Sequence, residues 1–185
     1  MRRSTRLLGI ATVLTCGVLA VQLATAGPQA VSQASLSAYE QQLTPLVVEG
    51  GQTIEQGVKP AIDDLRSRHV VPPAVIAAEA SNWISDLRAL RDKIAALPVD
   101  GQLKRVNSAF LRALDAYVSA CRTFKSAASS HVRDGQLRLI RRGVDQAVQA
   151  DRLYDRAAGQ LQELRHQLKL PPSISFPTTA TRGQS

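Results

Sequence analysis

Between Asp100 and Ser129 the apolar positions fall at Leu103, Val106, Phe110, Ala113, Tyr117, Ala120, Phe124 and Ala127, spaced by three and four in alternation. Such spacing returns to one side of a 3.6-residue turn and predicts a helix buried along a narrow seam. Lys104, Arg105, Arg112, Arg122 and Lys125 gather on the opposite side of the same wheel. Asp100 stands at the N-cap position of this helix.

The same arithmetic places three more helices. From Pro73 to Leu97 the seam is Ile76, Ala80, Trp83, Leu87, Leu90, Ile94 and Leu97, and Pro98 ends it. A first helix, about 35–67, puts Leu36, Tyr39, Leu43, Leu46, Gly50, Ile54, Gly57, Ala61 and Leu65 on one face. It is interrupted by Pro45, by Gly50-Gly51 and by Pro60, which lacks a backbone donor and predicts a kink. His69 to Pro73 reads as the turn that follows. The last helix, about 134–170, has Leu137, Ile140, Val144 and Ala147, then Ala150, Tyr154, Ala157, Leu161, Leu164 and Leu168. Pro171-Pro172 stops it. Asp134-Gly135-Gln136-Leu137 echoes Asp100-Gly101-Gln102-Leu103, as two similar helix starts.

Four long amphipathic segments joined by short turns predict an all-α, up-down-up-down antiparallel four-helix bundle over residues 35–170. Its rival is a partly opened coiled-coil hairpin that dimerises. Residues 27–34 read as a flexible lead-in. The stretch 171–185, rich in Pro, Ser and Thr without periodicity, predicts a disordered tail.

Before the bundle lies an export leader, residues 1–26. Arg2, Arg3 and Arg6 form a basic start, Leu7 to Leu23 is largely apolar, and Ala24-Thr25-Ala26 is a small-x-small cleavage site. Two alternatives stay open. Leu7 to Ala26 is just long enough for an uncleaved anchor, and Cys16 offers a lipidation site, although Thr15 is large for the residue before it. All three readings predict a secreted protein or one on the extracytoplasmic face of the envelope, with membrane association through the N-terminal segment in two of them. Of the two cysteines only Cys121 survives cleavage, which excludes an internal disulfide. Cys121 lies beside the seam as a small buried hydrophobe, or else as a reactive or intermolecular thiol.

Charge refines the picture. The net charge is +8. Residues 27–99 hold six basic against eight acidic side chains, while residues 100–185 hold fourteen against seven. The surplus sits between Lys104 and Arg142, so the basic face of the third helix, extended by Arg133, Arg138, Arg141 and Arg142, is suited to an anionic envelope component or an acidic envelope protein. Nucleic acid is not expected, because no aromatic interleaves with the stripe to stack bases.

Catalytic patterns are missing. There is no Gly-x-Ser-x-Gly, Ser-x-x-Lys or His-Glu-x-x-His. Helical secreted enzymes such as chorismate mutases place cationic groups inside the bundle; this seam is almost entirely apolar. Glu163-Leu164-Arg165-His166 is a single Glu-x-x-His pointing off the seam, whereas di-iron bundles need two such motifs and further carboxylates. His69 and His131 fall at one end of an up-down bundle without a convincing third ligand. Asp151 and Asp155, flanking Tyr154 beside Arg152 and Arg156, read as an interspersed solvated charge pattern. No cofactor, metal or catalytic residue is expected.

One internal feature is more specific. If the first turn centres near residue 70, facing residues sum to about 140, which sets Trp83 against Gly57 and Ala80 against Pro60. A large indole opposite a missing side chain is complementary packing. Alternatively Gly50, Gly51, Gly57, Pro60 and Trp83 line a small apolar pocket for a lipophilic ligand.

The leader, the run from Gly50-Gly51 to Lys59-Pro60-Ala61, and Ala150-Asp151-Arg152-Leu153-Tyr154-Asp155 together resemble exported α-helical proteins of actinobacteria that have no assigned activity. The resemblance covers most of the chain after the leader. It implies localisation and fold, not mechanism. The expected function is therefore non-enzymatic binding through the basic helix face in the cell envelope, with a lipophilic-ligand carrier as the alternative.

Overall fold

Ser32 starts the first helix. Its hydroxyl accepts from the Ser35 backbone amide at 3.0 Å, and the Ser35 hydroxyl accepts from the Ser32 amide at 3.1 Å. This reciprocal capping box satisfies two donors that a helix start otherwise leaves free. The computed structural model describes residues 31–67 and 73–176. Residues 1–30, 68–72 and 177–185, and with them the expected leader and His69, lie outside the described residues.

The elements are α1 (Gln33–Gln52), a π-helical segment (Thr53–Val58), α2 (Lys59–Ser67), α3 (Pro73–Ala95), α4 (Gly101–Ala128) and α5 (Arg133–Gln167). α1, the π segment and α2 follow one another without a break and form the first rod of an all-α, antiparallel four-helix bundle. Helix α1 begins inside the stretch expected to be a flexible lead-in, because Ser32 and Ser35 cap one another.

The π segment is the main departure from the sequence expectation in this rod. Pro60 has no amide to give to the carbonyl four residues back. The chain widens its turns ahead of the proline, and the Lys59 amide donates to the Ile54 carbonyl, five residues back. Wider turns shift the inward positions. Val58, at 1% exposure, fills the core in place of Gly57, which moves to the edge of the rod. There a Cβ on Gly57 would stand 2.5 Å from Nε1 of Trp83, so the glycine admits the indole.

Helix α4 is the centre of the bundle. All eight seam positions are buried, and so are Asn107, Ala109, Leu114, Val118, Cys121 and Ala128. The buried arc exceeds one seam because α3 and α5 pack along two sides of it. Gly143 of α5 permits the second contact, since a Cβ there would lie 2.5 Å from the Phe124 ring. Leu137, expected on the α5 seam, is 44% exposed; it lies in the first turns of α5, ahead of the first buried position at Ile140. Asp100 occupies the N-cap of α4 without a side-chain capping bond.

Asn107 is the one buried polar side chain among the described core residues. Its Oδ1 accepts from the Tyr39 hydroxyl at 3.1 Å, and its Nδ2 donates to the Ile94 carbonyl at 3.1 Å. One amide thus joins α1, α3 and α4 at one level. Burial pushes the Tyr39 phenol well above its usual range.

Residues 171–176 depart from the expected disorder. Helix α5 closes in a Schellman turn: Lys169 takes φ 55°, its amide reaches the His166 carbonyl, and the Leu170 amide reaches the Arg165 carbonyl at 2.9 Å. The chain reverses, and residues 171–176 fold back on the bundle. Gln162 grips Ser173 from both ends of its amide, at 2.9 Å to the backbone nitrogen and 2.8 Å to the carbonyl. Phe176 is 1% exposed.

Asn107→Leu is expected to destabilise the fold by about 2 kcal/mol, because the buried Tyr39 hydroxyl loses its acceptor and the Ile94 carbonyl keeps only the Leu97 amide. Adding Tyr39→Phe should recover part of that loss. Urea melts of the two single variants and the double check the coupling; strict additivity would show that the hydrogen bond contributes nothing.

Candidate functional site

Rod one packs more closely on α3 than along α5, and an apolar cleft opens between them. Its volume is about 620 Å³. Val47 and Ile54 form the α1 and π-segment wall, Leu90 and Ile94 come from α3, and Phe110 and Leu114 come from α4. Polar atoms are few. Glu55 and Lys59 form an i, i+4 ion pair, both half-exposed. Tyr117, 5% exposed, donates its hydroxyl to Asp151 Oδ1. Tyr154 meets Phe110 edge to face, with ring centroids 5.8 Å apart. Ser175 of the folded-back tail completes the lining.

Gly50 and Gly51 both line this cleft, for different reasons. Gly50 is buried against α3, and a Cβ on it would fall 2.5 Å from Leu90 Cδ2. A Cβ on Gly51 would have nothing within 4 Å, so its missing side chain leaves open space and serves no contact.

The five residues expected in one pocket are divided. Gly57, Pro60 and Trp83 line a separate hollow of about 400 Å³, whose other walls include Gln56, Asp64, Glu79 and Asn82. Val58, turned into the core by the π segment, lines neither space, and no residue lines both. Trp83 is therefore not in the larger cleft.

The remaining candidates are dispersed. Glu163 and His166 lie on α5 away from the cleft, and Glu163 Oε1 accepts from Gln167 at 3.1 Å. His131 is exposed at the turn before α5, and His69 lies outside the described residues. No group of three His, Cys, Asp or Glu side chains able to hold a metal occurs among the described residues. Asp151, expected to be part of a solvated pattern, is instead the acceptor for Tyr117.

Lys104, Arg105, Arg112, Arg122 and Lys125 are all exposed along α4, with no ion pair to any of them among the described residues. Asp115, on the same helix, is tied to Arg91 of α3 at 2.7 Å, and that hydrogen bond, with the charge of Asp115, raises the Arg91 pKa. No helix among the described residues is long and apolar enough to cross a membrane.

Sequence reasoning missed Asn107, Phe176 and most of the cleft lining. Asn107 follows Val106 on the seam, so its position next to an apolar residue was a usable signal. Phe176, the one aromatic beyond Tyr154, was a second.

Cys121 is fully buried, and desolvation pushes its thiol up to about 12. The thiol is unreactive at neutral pH, which favours the structural reading of this residue.

No protein family, curated protein or solved structure matches the chain.

The Cys121 shift fixes a pH dependence. The folded state holds the proton to higher pH than the unfolded chain, whose thiol titrates at about 8.5. Its stabilising contribution is complete below that value and is lost as pH rises towards about 12. Stability should fall above about pH 8.5 with a slope approaching about 1.4 kcal/mol per unit, and Cys121→Ala should remove that slope. Urea midpoints of both proteins at pH 7.5, 9 and 10 read it directly; parallel curves would exclude the thiol as the source.

Proposed function

We propose that the protein is a non-enzymatic binder of an elongated, uncharged lipophile, held in the cleft between rod one and α5. Gly51 is the observation that carries this reading. A glycine inside a helix is less favourable than alanine by about 1 kcal/mol. At Gly50 and Gly57 close approach of a neighbour explains the glycine; at Gly51 a side chain would meet only the empty cleft. The space left open is lined by aliphatic and aromatic groups, as small-molecule sites are.

Shape and charge narrow the ligand. The wall from Val47 to Lys59 is thirteen residues long, about 18 Å at helical rise, so the cleft suits a chain or rod. Its polar groups are already matched, Lys59 with Glu55 and Tyr117 with Asp151. An ion brought into it would have to break one of these pairs or stand unpaired, at a cost of several kcal/mol. A neutral molecule with a hydroxyl or carbonyl end avoids that. Exported localisation, read from residues 1–26, forms part of the proposal and suits a carrier of apolar envelope material.

A second reading rests on the α4 surface. Five exposed cations without ion pairs among the described residues span residues 104–125, about 32 Å along the helix. They fit an anionic envelope surface, on which the carrier would load or unload.

Two outcomes test these readings. Gly51→Leu should weaken binding of the neutral dye N-phenyl-1-naphthylamine at least about tenfold, equivalent to about 1.4 kcal/mol. Its melting temperature should be unchanged or raised, because a helix-favouring residue replaces glycine without a clash. Undiminished dye binding by this variant would remove the cleft as the site. Reversing Arg105, Arg112 and Arg122 to Glu should abolish salt-sensitive binding to vesicles containing anionic lipid while leaving the circular dichroism melt intact. Equal vesicle binding by the reversed protein would reject the basic face.

A further inference from the structure

The cleft does not end where the empty space ends. Phe110 forms part of its floor and also touches Phe176, with ring centroids 6.1 Å apart. Ser175, the neighbour of Phe176, lines both the cleft and a smaller hollow beyond it, bounded by Ser37, Glu40 and Thr44 of α1 and Arg165 of α5. The gap between α1 and α5 is therefore filled at one end by a side chain that belongs to neither helix.

The segment that delivers Phe176 is held by few attachments. Arg165 Nε donates to the Pro171 carbonyl at 2.6 Å, while its guanidinium also pairs with Glu40 across the gap. Gln162 holds Ser173. No regular secondary structure supports residues 170–176, and Ile174 is 94% exposed. Phe176 is the only fully buried side chain of this segment. A strap with one fully buried side chain, a partly buried Leu170 at its base and a few hydrogen bonds opens locally at much lower free energy than the bundle.

We propose that Phe176 is the length-determining residue of the cleft: a short apolar chain lies beside it, and a longer one must displace it and lift the strap. This rests on the cleft being the ligand site. The phenyl ring packs on Phe110 at the end of the cleft that Ser175 lines, so a chain running along Phe110 would meet it there. Wild-type affinity should accordingly rise with chain length and then stop rising where the ligand meets Phe176. In Phe176→Ala the vacated slot lets the rise continue.

The test uses the full purified protein and primary alkanols of about eight to about sixteen carbons as competitors for N-phenyl-1-naphthylamine, each buried methylene being worth about fourfold in affinity. Wild type should gain about fourfold per carbon and then level off, and Phe176→Ala should level off about three carbons later. A plateau at the same length in both proteins overturns the proposal while leaving the cleft reading intact. No displacement by any alkanol from wild type overturns both. Hydrogen exchange on unaltered protein supplies a readout independent of the variant's folding. The Ser173 amide, bonded to Gln162, should exchange faster with alkanols beyond the plateau length and at the unliganded rate with shorter ones. Continued protection of that amide under the long alkanols also overturns the proposal.

Discussion

Burial of α4 on two sides is the constraint from which the rest of the architecture follows. One helix cannot present its wide apolar arc equally to three partners. Here α3 and α5 take most of it, drawn close by the small residues along α4 and by Gly143 against Phe124. The first rod is left with a narrower share. It is fixed at one level by Tyr39 and Asn107 and further along by Gly50 and Gly57, which admit Leu90 and Trp83 of α3. Its approach to α5 is bridged by the Glu40–Arg165 pair and the folded-back tail. A bundle with two tight interfaces and one loose one has its empty space placed by that asymmetry.

The π segment and the glycines belong to the same solution. Pro60 removes a donor, and the widened turn absorbs the loss within the rod. This rotates Val58 inward, to 1% exposure. Gly51, just ahead of the π segment, keeps the larger hollow open. Features that lower intrinsic helix stability are thus concentrated in the stretch that borders the cleft, and α4, which carries no proline and only Gly101 at its first turn, supplies the rigid floor. Such a division between a firm scaffold and a locally weakened wall suits the proposed site.

Polar chemistry in the interior is used for registration. Asn107 ties three helices through two hydrogen bonds, and Tyr117 reaches Asp151 between α4 and α5. Each of these groups is matched by a partner, so each constrains how the helices slide past one another. The surface divides differently. Along α4 the basic side chains stand in solvent, away from the cleft, so binding to an anionic surface and uptake of an apolar molecule would use opposite sides of the same helix.

The amino-acid sequence by itself determined the helices, because each has a seam at the helical period and the turns carry proline or glycine. Leu103 to Ala127 and Ile76 to Ile94 were legible residue by residue, and all those seam positions are buried. The facing of Gly57 and Trp83 was legible too, since antiparallel rods joined by a short turn have a simple register. Only the tertiary structure decided which interface is loose, and so where the cleft lies. That depends on how α4's buried arc is shared among three neighbours, which no single helix's periodicity contains. It also decided that Asn107 is a buried link, because a polar residue beside a seam is read from its neighbours on other helices. Phe176 was hidden for a related reason. A non-periodic tail gives no signal of burial until the Schellman turn at Lys169 and the amide of Gln162 carry it back to Phe110.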